Sequence, residues 1–226
     1  DDDIIDGPQN VTITMSIDDA SSNDSFDGLA DQTVSASNAD DDSAGMILSA
    51  AELTIAENAG TGTFTAALSA EPASNVAITI TSTDTDECTA SPASLTFTPA
   101  NWDTPQTVTV IGVDDDATGN DTALIILSID DDNSDNDFDS LTDESVAVTC
   151  TDDDSPGITV SAASANTSET GTTATFTVVL NTQPSADVTI ALSSSDETEG
   201  TVSPQTLTFT SANWSIPQTI TITGAD

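Results

Sequence analysis

Apolar and polar residues alternate along most of the chain. Val76-Ala77-Ile78-Thr79-Ile80-Thr81 and Gln106-Thr107-Val108-Thr109-Val110 set β-branched residues at every second position, the period of a strand with one buried face. The pattern predicts strands at about 46–49, 53–56, 62–69, 75–82, 94–98, 106–112, 122–129 and 145–151. Turn residues such as Glu57-Asn58-Ala59-Gly60 and Glu71-Pro72-Ala73-Ser74 separate them. Phe64, Leu68, Val76, Ile78, Ile80, Leu95, Phe97, Val108, Val110, Ile125, Leu127 and Ile129 form the expected core. No long segment has a helical period, so the chain reads as all-β, and its strand number and spacing fit immunoglobulin-like antiparallel β-sandwiches.

The pattern also repeats. Residues 43–114 align with 155–226 at a constant offset of 112 without a gap, and Ser16-Ile17-Asp18-Asp19 falls on Ser128-Ile129-Asp130-Asp131 at the same offset. Trp102 and Trp214 occupy identical contexts and are expected to be structural. Residues 43–154 make one complete unit. Residues 1–42 correspond to the last strands of such a unit and 155–226 to its first strands. The C-terminal piece would expose a core and open sheet edges unless something completed it. The expected donor is the N-terminal segment of a neighbouring copy, which makes the two pieces a split domain and the assembly a head-to-tail filament. The alternative is a window of one long tandem polypeptide, in keeping with a chain that opens on Asp1-Asp2-Asp3 instead of Met. Leu124 and Ile126 stand at outward positions where the other copy has Thr12 and Thr14, suggesting a surface contact.

Charge narrows the function. Forty Asp and Glu with no Lys, Arg or His give a net charge of −40. Nucleic acid and anionic membranes are excluded as partners, because no cation is available to meet phosphate. No apolar run approaches the roughly 18 residues of a membrane span. Without His, Lys or Tyr, a Ser or Cys nucleophile has no ordinary activating base, and the acids recur with the repeat, so an enzyme is not expected. The regular alternation argues against disorder despite the acidity. Three adjacent carboxylates at each unit seam, Asp40-Asp41-Asp42 and Asp152-Asp153-Asp154, repel one another and call for a bound cation. The run Asp130–Asp139 lacks the Gly and Glu of a calcium-binding helix–loop–helix and reads as a plain acidic loop.

The combination of Ser-Pro-x-x-Leu-Thr-Phe-Thr-x-x-Asn-Trp-x-x-Pro-Gln-Thr, the acidic turn Val113-Asp114-Asp115-Asp116 and the closing aspartate triplet resembles the Calx-β repeat. That family occurs in sodium/calcium exchangers and in large bacterial surface and adhesin-like proteins, the second group being closer in wording. The resemblance implies a β-sandwich collecting Ca2+ at one end. By position, the complete unit's ligands would be Asp152, Asp153, Asp154, Asp114, Asp115 and Asp116, with Glu57, Asp84 and Asp86. In the split unit, Glu169, Asp196 and Asp226 would meet Asp2, Asp3, Asp6, Asp40, Asp41 and Asp42 of a neighbour, so that calcium bridges copies. If the acidic elements share one end, Cys88 and Cys150 lie close together, and a disulfide is expected, with two free thiols as the alternative. A disulfide would place the protein outside the cytoplasm.

The expectation is therefore a structural subunit of an extracellular filament or surface stalk, with copies of itself as partners. A long bacterial adhesin or a calcium-binding recognition module is the alternative. Asn-x-Ser/Thr triplets at Asn10, Asn23, Asn120, Asn166 and Asn213 leave glycans open.

Overall fold

The chain is described by a computed structural model covering residues 2–26 and 28–226; Asp1 and Asp27 lie outside the described residues. Its regular structure there is strand, with one 3₁₀ turn at Asp131–Asn133. The strands of the first half are β1 (Gln9–Met15), β2 (Gln32–Asn38), β3 (Met46–Leu48), β4 (Glu52–Ala56), β5 (Thr61–Leu68), β6 (Val76–Ser82), β7 (Cys88–Ser91) and β8 (Ser94–Phe97). Those of the second half are β9 (Gln106–Gly112), β10 (Asp121–Ile129), β11 (Glu144–Thr151), β12 (Ile158–Val160), β13 (Thr173–Leu180), β14 (Val188–Ala191), β15 (Gly200–Ser203), β16 (Thr206–Phe209) and β17 (Gln218–Gly224). The expected strands are present. The alternation did not mark β7, whose four residues, Cys88-Thr89-Ala90-Ser91, are too few to carry a period.

Strands β3 to β11 build a central sandwich. One sheet has the order β4-β11-β10-β6-β8, the other β3-β5-β9-β7, and every pairing is antiparallel except β4 with β11. The alternation seen in the sequence becomes an inside and an outside. In β10, Ala123, Ile125 and Leu127 are buried while Leu124 between them is exposed. Every residue of the expected core is buried except Ile129, which packs partly exposed against it. Trp102 packs at its margin, and the Trp102 carbonyl accepts from the Leu68 amide at 2.9 Å.

The rest of the chain repeats parts of this sandwich in the same register. β12, β13, β15, β16 and β17 fall residue for residue 112 positions after β3, β5, β7, β8 and β9. They form the four-stranded sheet β12-β13-β17-β15 and, with β14, the pair β14-β16. β14 is three residues shorter than its counterpart β6, and the missing positions correspond to Ile80, Thr81 and Ser82, which in β6 pair with β10. The counterpart of β4, residues 164–168, is not a strand, because β4 is held by β11 alone. Hairpin β1-β2 repeats the β10-β11 pairing, Gln9 opposite Asn38 matching Asp121 opposite Cys150.

Two joints of the same form, one residue apart in the repeat's register, connect the pieces. The lead-in to the hairpin meets the central sandwich through Ile4 beside Glu71, with the Glu71 amide donating to the Asp3 carbonyl at 2.7 Å. The acidic turn meets the C-terminal unit through Ala117 beside Gln183, with the Gln183 amide donating to Asp116 at 2.7 Å. Glu71 and Gln183 are equivalent in the repeat.

Candidate functional site

The acidic end of the central sandwich is organised by Glu57. Where β4 ends, the Glu57 amide still donates to the Thr151 carbonyl of β11 at 3.1 Å, and the chain then turns back, the Gly60 amide reaching the Ala56 carbonyl at 3.0 Å. Ala59 within this turn has φ 63°, a left-handed conformation costly for a residue with a Cβ. Gly112 of β9 lies so close to the Ala56 carbonyl that any side chain there would collide with it. The packed turn drives Glu57 inward. It is 2% exposed, and its buried Oε1 has no hydrogen-bond partner, an arrangement that costs about 1–3 kcal/mol unless something else satisfies it.

Other carboxylates face this orphan. Oxygens of Glu57, Asp152 and Asp154 lie within 4.8 Å of one another, as do those of Glu57, Asp114 and Asp153, and those of Glu87, Asp115 and Asp121. The triplet is held in shape locally: Asp154 N donates to Asp152 Oδ1 at 2.6 Å, Gly119 N to Asp152 Oδ2, and Asn58 Nδ2 to Asp153 Oδ2 at 2.6 Å. Burial pushes the Glu57 carboxyl above its ordinary range, and the charges of Asp152, Asp115 and Asp153 add to it. Burial likewise raises Asp154, beside Asp152 and Asp116, and Glu87, beside Asp121 and Asp115. An oxygen-only set of like charges around an unsatisfied buried carboxylate fits a hard divalent cation, which takes six to eight oxygen ligands in flexible geometry.

Of the residues expected from sequence, the fold brings together Glu57, Asp114, Asp115, Asp152, Asp153 and Asp154. Asp116 contributes its charge near Asp154 and its carbonyl to the joint, without entering a three-acid group. Asp84 and Asp86 stay in the loop before β7, where Asp86 N caps Asp84 Oδ1 at 3.1 Å, and raise Glu87 through charge only. Glu87 and Asp121 were missed. Glu87 was findable, since Glu199 stands at its repeat position, the same signal that marked Glu57 and Glu169.

The N-terminal segment and the C-terminal unit each carry a separate acidic half-set. At the base of the hairpin, Asp40 accepts from the amides of Gly7 at 2.8 Å and Asp42 at 3.0 Å, bonds that hold its carboxyl below the ordinary range. Burial, with the charges of Asp40, Asp41, Asp3 and Asp2, raises Asp42, and Asp6 lines the same hollow. In the C-terminal unit, Glu169 and Glu199 share a shallow surface, the Ala225 amide next to Asp226 donates to the Glu199 carbonyl at 3.0 Å, and the Thr198 hydroxyl holds the Asp196 carboxyl low. Among the described residues, no three-acid group joins the two half-sets.

The same two pieces leave apolar surface uncovered. Val11, Ile13, Met15 and Val34 of the hairpin are all more than half exposed, whereas their counterparts Ala123, Ile125, Leu127 and Val146 are buried. Facing the gap in the C-terminal unit, Val188 and Ile190 are only partly buried, against 0% exposure for Val76 and Ile78. Burying one such side chain is worth about 1.5–3 kcal/mol.

Cys88 and Cys150 lie in the same core cluster, on opposite sheets, as free thiols and not as the expected disulfide; the Cys150 thiol donates to the Glu87 carbonyl at 3.3 Å, and the Cys88 sulfur lies 3.8 Å from the Ser82 hydroxyl. Burial, then the neighbouring Cys88, pushes the Cys150 thiol up to about 11.

No family model and no curated protein matches the chain. Solved structures resemble it in fold. The surface layer protein SbsC, domains 1–6, aligns at 12% identity and TM-score 0.40 over 96% of this chain and 25% of its own. CBD12 from CALX1.2 aligns at 12% identity and TM-score 0.34, over 80% of this chain and 75% of its own. The E. coli chaperone DraB aligns at 8% identity and TM-score 0.36 over 47% of this chain, which spans about half (54%) of that protein.

Proposed function

We propose that the chain is a structural, non-catalytic subunit of an extracellular or cell-surface filament. In this reading, hairpin β1-β2 of one copy enters the gap in the C-terminal unit of the next. The observation that carries it is the match between what is surplus and what is missing: the hairpin repeats β10 and β11, the two strands the C-terminal unit lacks, in the same register and with its apolar face bare. By the register of the central sandwich, Ile13 would stand beside Ser194 and Met15 beside Leu192, with β2 running parallel to residues 164–168 and turning them into a strand. The two joints use the same kind of parallel bridge and amide-to-carbonyl bond, shifted by one residue on the acidic-turn side, which supports a repeating assembly with one kind of domain junction.

Calcium would be held in the central sandwich by Glu57, Asp114, Asp152, Asp153 and Asp154, and on the second side by Glu87, Asp115 and Asp121. It would neutralise carboxylates that otherwise repel. In the completed split unit, Glu169, Glu199 and Asp226 would meet Asp2, Asp3, Asp40 and Asp42 of the neighbour. The adjacent thiols Cys88 and Cys150 would close a disulfide in an oxidising compartment, consistent with the millimolar calcium such modules use outside cells. The test is to follow the purified chain by electron microscopy and light scattering, with and without calcium. Linear polymers whose denatured, reduced chains have a mass of 22.9 kDa are expected. A chain that stays monomeric at high concentration with calcium overturns donation between copies, and a much larger denatured mass in the native fibre favours the continuous tandem repeat.

A further inference from the structure

The central sandwich contains a plug that the C-terminal unit lacks. Phe138 follows the 3₁₀ turn after β10, is 0% exposed and belongs to the same core cluster as Leu68 and Val76, with Leu141 packed beside it. Its loop is pinned to the opposite end of the sandwich. Ser74 N donates to Asp135 Oδ2 at 2.7 Å, and Ser134 Oγ bonds the Ala77 amide and carbonyl at 3.0 and 3.1 Å.

At the corresponding place in the C-terminal unit lies an open, mostly apolar cavity of about 500 Å³, lined by Ile158, Leu180, Thr182, Pro184, Ala186 and Val188 among others. By the repeat these are Met46, Leu68, Ala70, Pro72, Ser74 and Val76, the surroundings of the plugged core. The hairpin carries the matching plug, unseated: Phe26 is 54% and Leu29 57% exposed.

The plug is also already shaped. In the central sandwich, Phe138 N donates to the Asp135 carbonyl at 2.9 Å, Leu141 N to the Phe138 carbonyl at 3.0 Å, and Asp137 N to Asp135 Oδ1 at 3.1 Å. In the free hairpin loop, Phe26 N donates to the Asn23 carbonyl at 2.8 Å, Leu29 N to the Phe26 carbonyl at 3.0 Å, and Ser25 N to Asn23 Oδ1 at 3.0 Å. The described residues of the loop thus repeat three bonds of the docked plug, a preformed geometry that lowers the cost of seating.

We infer that Phe26 of one copy is the anchor that fills the cavity beside Leu180 and Val188 of the next, locking the donated hairpin at the end remote from the acidic cluster. This rests on strand donation between copies and names its hot spot. An aromatic side chain entering a preformed apolar cavity is where binding energy concentrates, while the exposed backbone edges set register.

The test compares the polymerisation of three variants with the unaltered chain, each checked for an unchanged unfolding transition of the central sandwich. Phe26→Ala is expected to raise the critical concentration about 100-fold, or about 2.7 kcal/mol. Ala186→Trp, at an exposed rim position that fills the cavity from its own side, should raise it comparably, and the two together should do little more than either alone. Ile13→Asp should stop assembly by breaking the strand face. If Phe26→Ala polymerises like the unaltered chain while Ile13→Asp does not, the anchor is wrong and strand donation stands. If Ile13→Asp also polymerises normally, strand donation itself is overturned. Additive losses from Phe26→Ala and Ala186→Trp would show that the two positions do not meet and would equally overturn the anchor.

Discussion

The central sandwich and the C-terminal unit share one sequence pattern in one register, yet they differ in every property that depends on β10 and β11. In the sandwich, Phe64 is 1% exposed and the β4 segment is a strand. In the C-terminal unit, Phe176 is only partly buried, the β4 counterpart is irregular and β14 ends early. The comparison separates what a strand owes to its own residues from what it owes to a neighbour. β13 and β17 form because their partners lie within the unit. Residues 164–168, Ser-Ala-Asn-Thr-Ser, have Ala165 and Thr167 where β4 has Leu53 and Ile55, and they have no strand beside them to take the place of β11, so both the inward apolar residues and the ladder that hold β4 are missing.

The sharpest way to break the comparison is one charge at equivalent positions. Ile125→Asp, buried in the sandwich, should leave the central domain largely unfolded, since an unpaired buried carboxylate costs more than about 4–5 kcal/mol. Ile13→Asp, on the bare hairpin, should leave the thermal transition of the sandwich unmoved and remove only assembly. Circular dichroism melts with light scattering read both.

Calcium provides the next contrast. At about 100-fold excess over its dissociation constant it should stabilise the sandwich by about 2.7 kcal/mol, seen as a rise in melting temperature that a chelator reverses. Glu57→Gln should abolish most of that rise, while Glu169→Gln should leave it intact and weaken only the polymer. The cysteines, present in the sandwich alone, give a related test. A closed Cys88–Cys150 bond should contribute about 4 kcal/mol in the loop-entropy view and lower the mass of the intact chain by two hydrogens. Kept reduced, the thiols should resist alkylation at pH 8 until the domain unfolds, because burial raises Cys150 to about 11.

Smaller effects sharpen the picture. Gly171 (φ 81°) stands in the C-terminal unit where Ala59 (φ 63°) stands in the sandwich, so Ala59→Gly should relieve strain and stabilise the sandwich by up to about 1 kcal/mol, read by denaturant melts. Asp139 has a buried oxygen without a partner, and burial followed by the charges of Asp131, Asp135 and Asp137 raises its carboxyl. A raised folded pKa means that the folded state takes up the proton first as pH falls, so stability is lost as pH rises through that value. Asp139→Asn should therefore raise the melting temperature slightly at pH 7, with the gain vanishing as pH falls into the carboxylate range.

Much of this was legible in advance. The alternation in β10 named its buried side, and the 112-residue register located the surplus hairpin and the gap. Glu57 was legible as a recurring acid, but its burial was not, because that follows from the approach of Gly112 to the Ala56 carbonyl across two sheets. Asp121 was not legible at all: its counterpart is Gln9, and only the pairing of β10 with β11 brings it towards Glu87 and Asp115.

By itself the sequence determined the strands, their inner faces, the repeat and the unbalanced negative charge, since these are local in the chain or additive over it. The tertiary structure decided which inner faces are covered, which carboxylates converge and which loop stands as an unseated plug. Those outcomes depend on partners far apart in sequence, such as β4 and β11, joined at Glu52 and Ala147, and where the partner is missing the same residues take a different state.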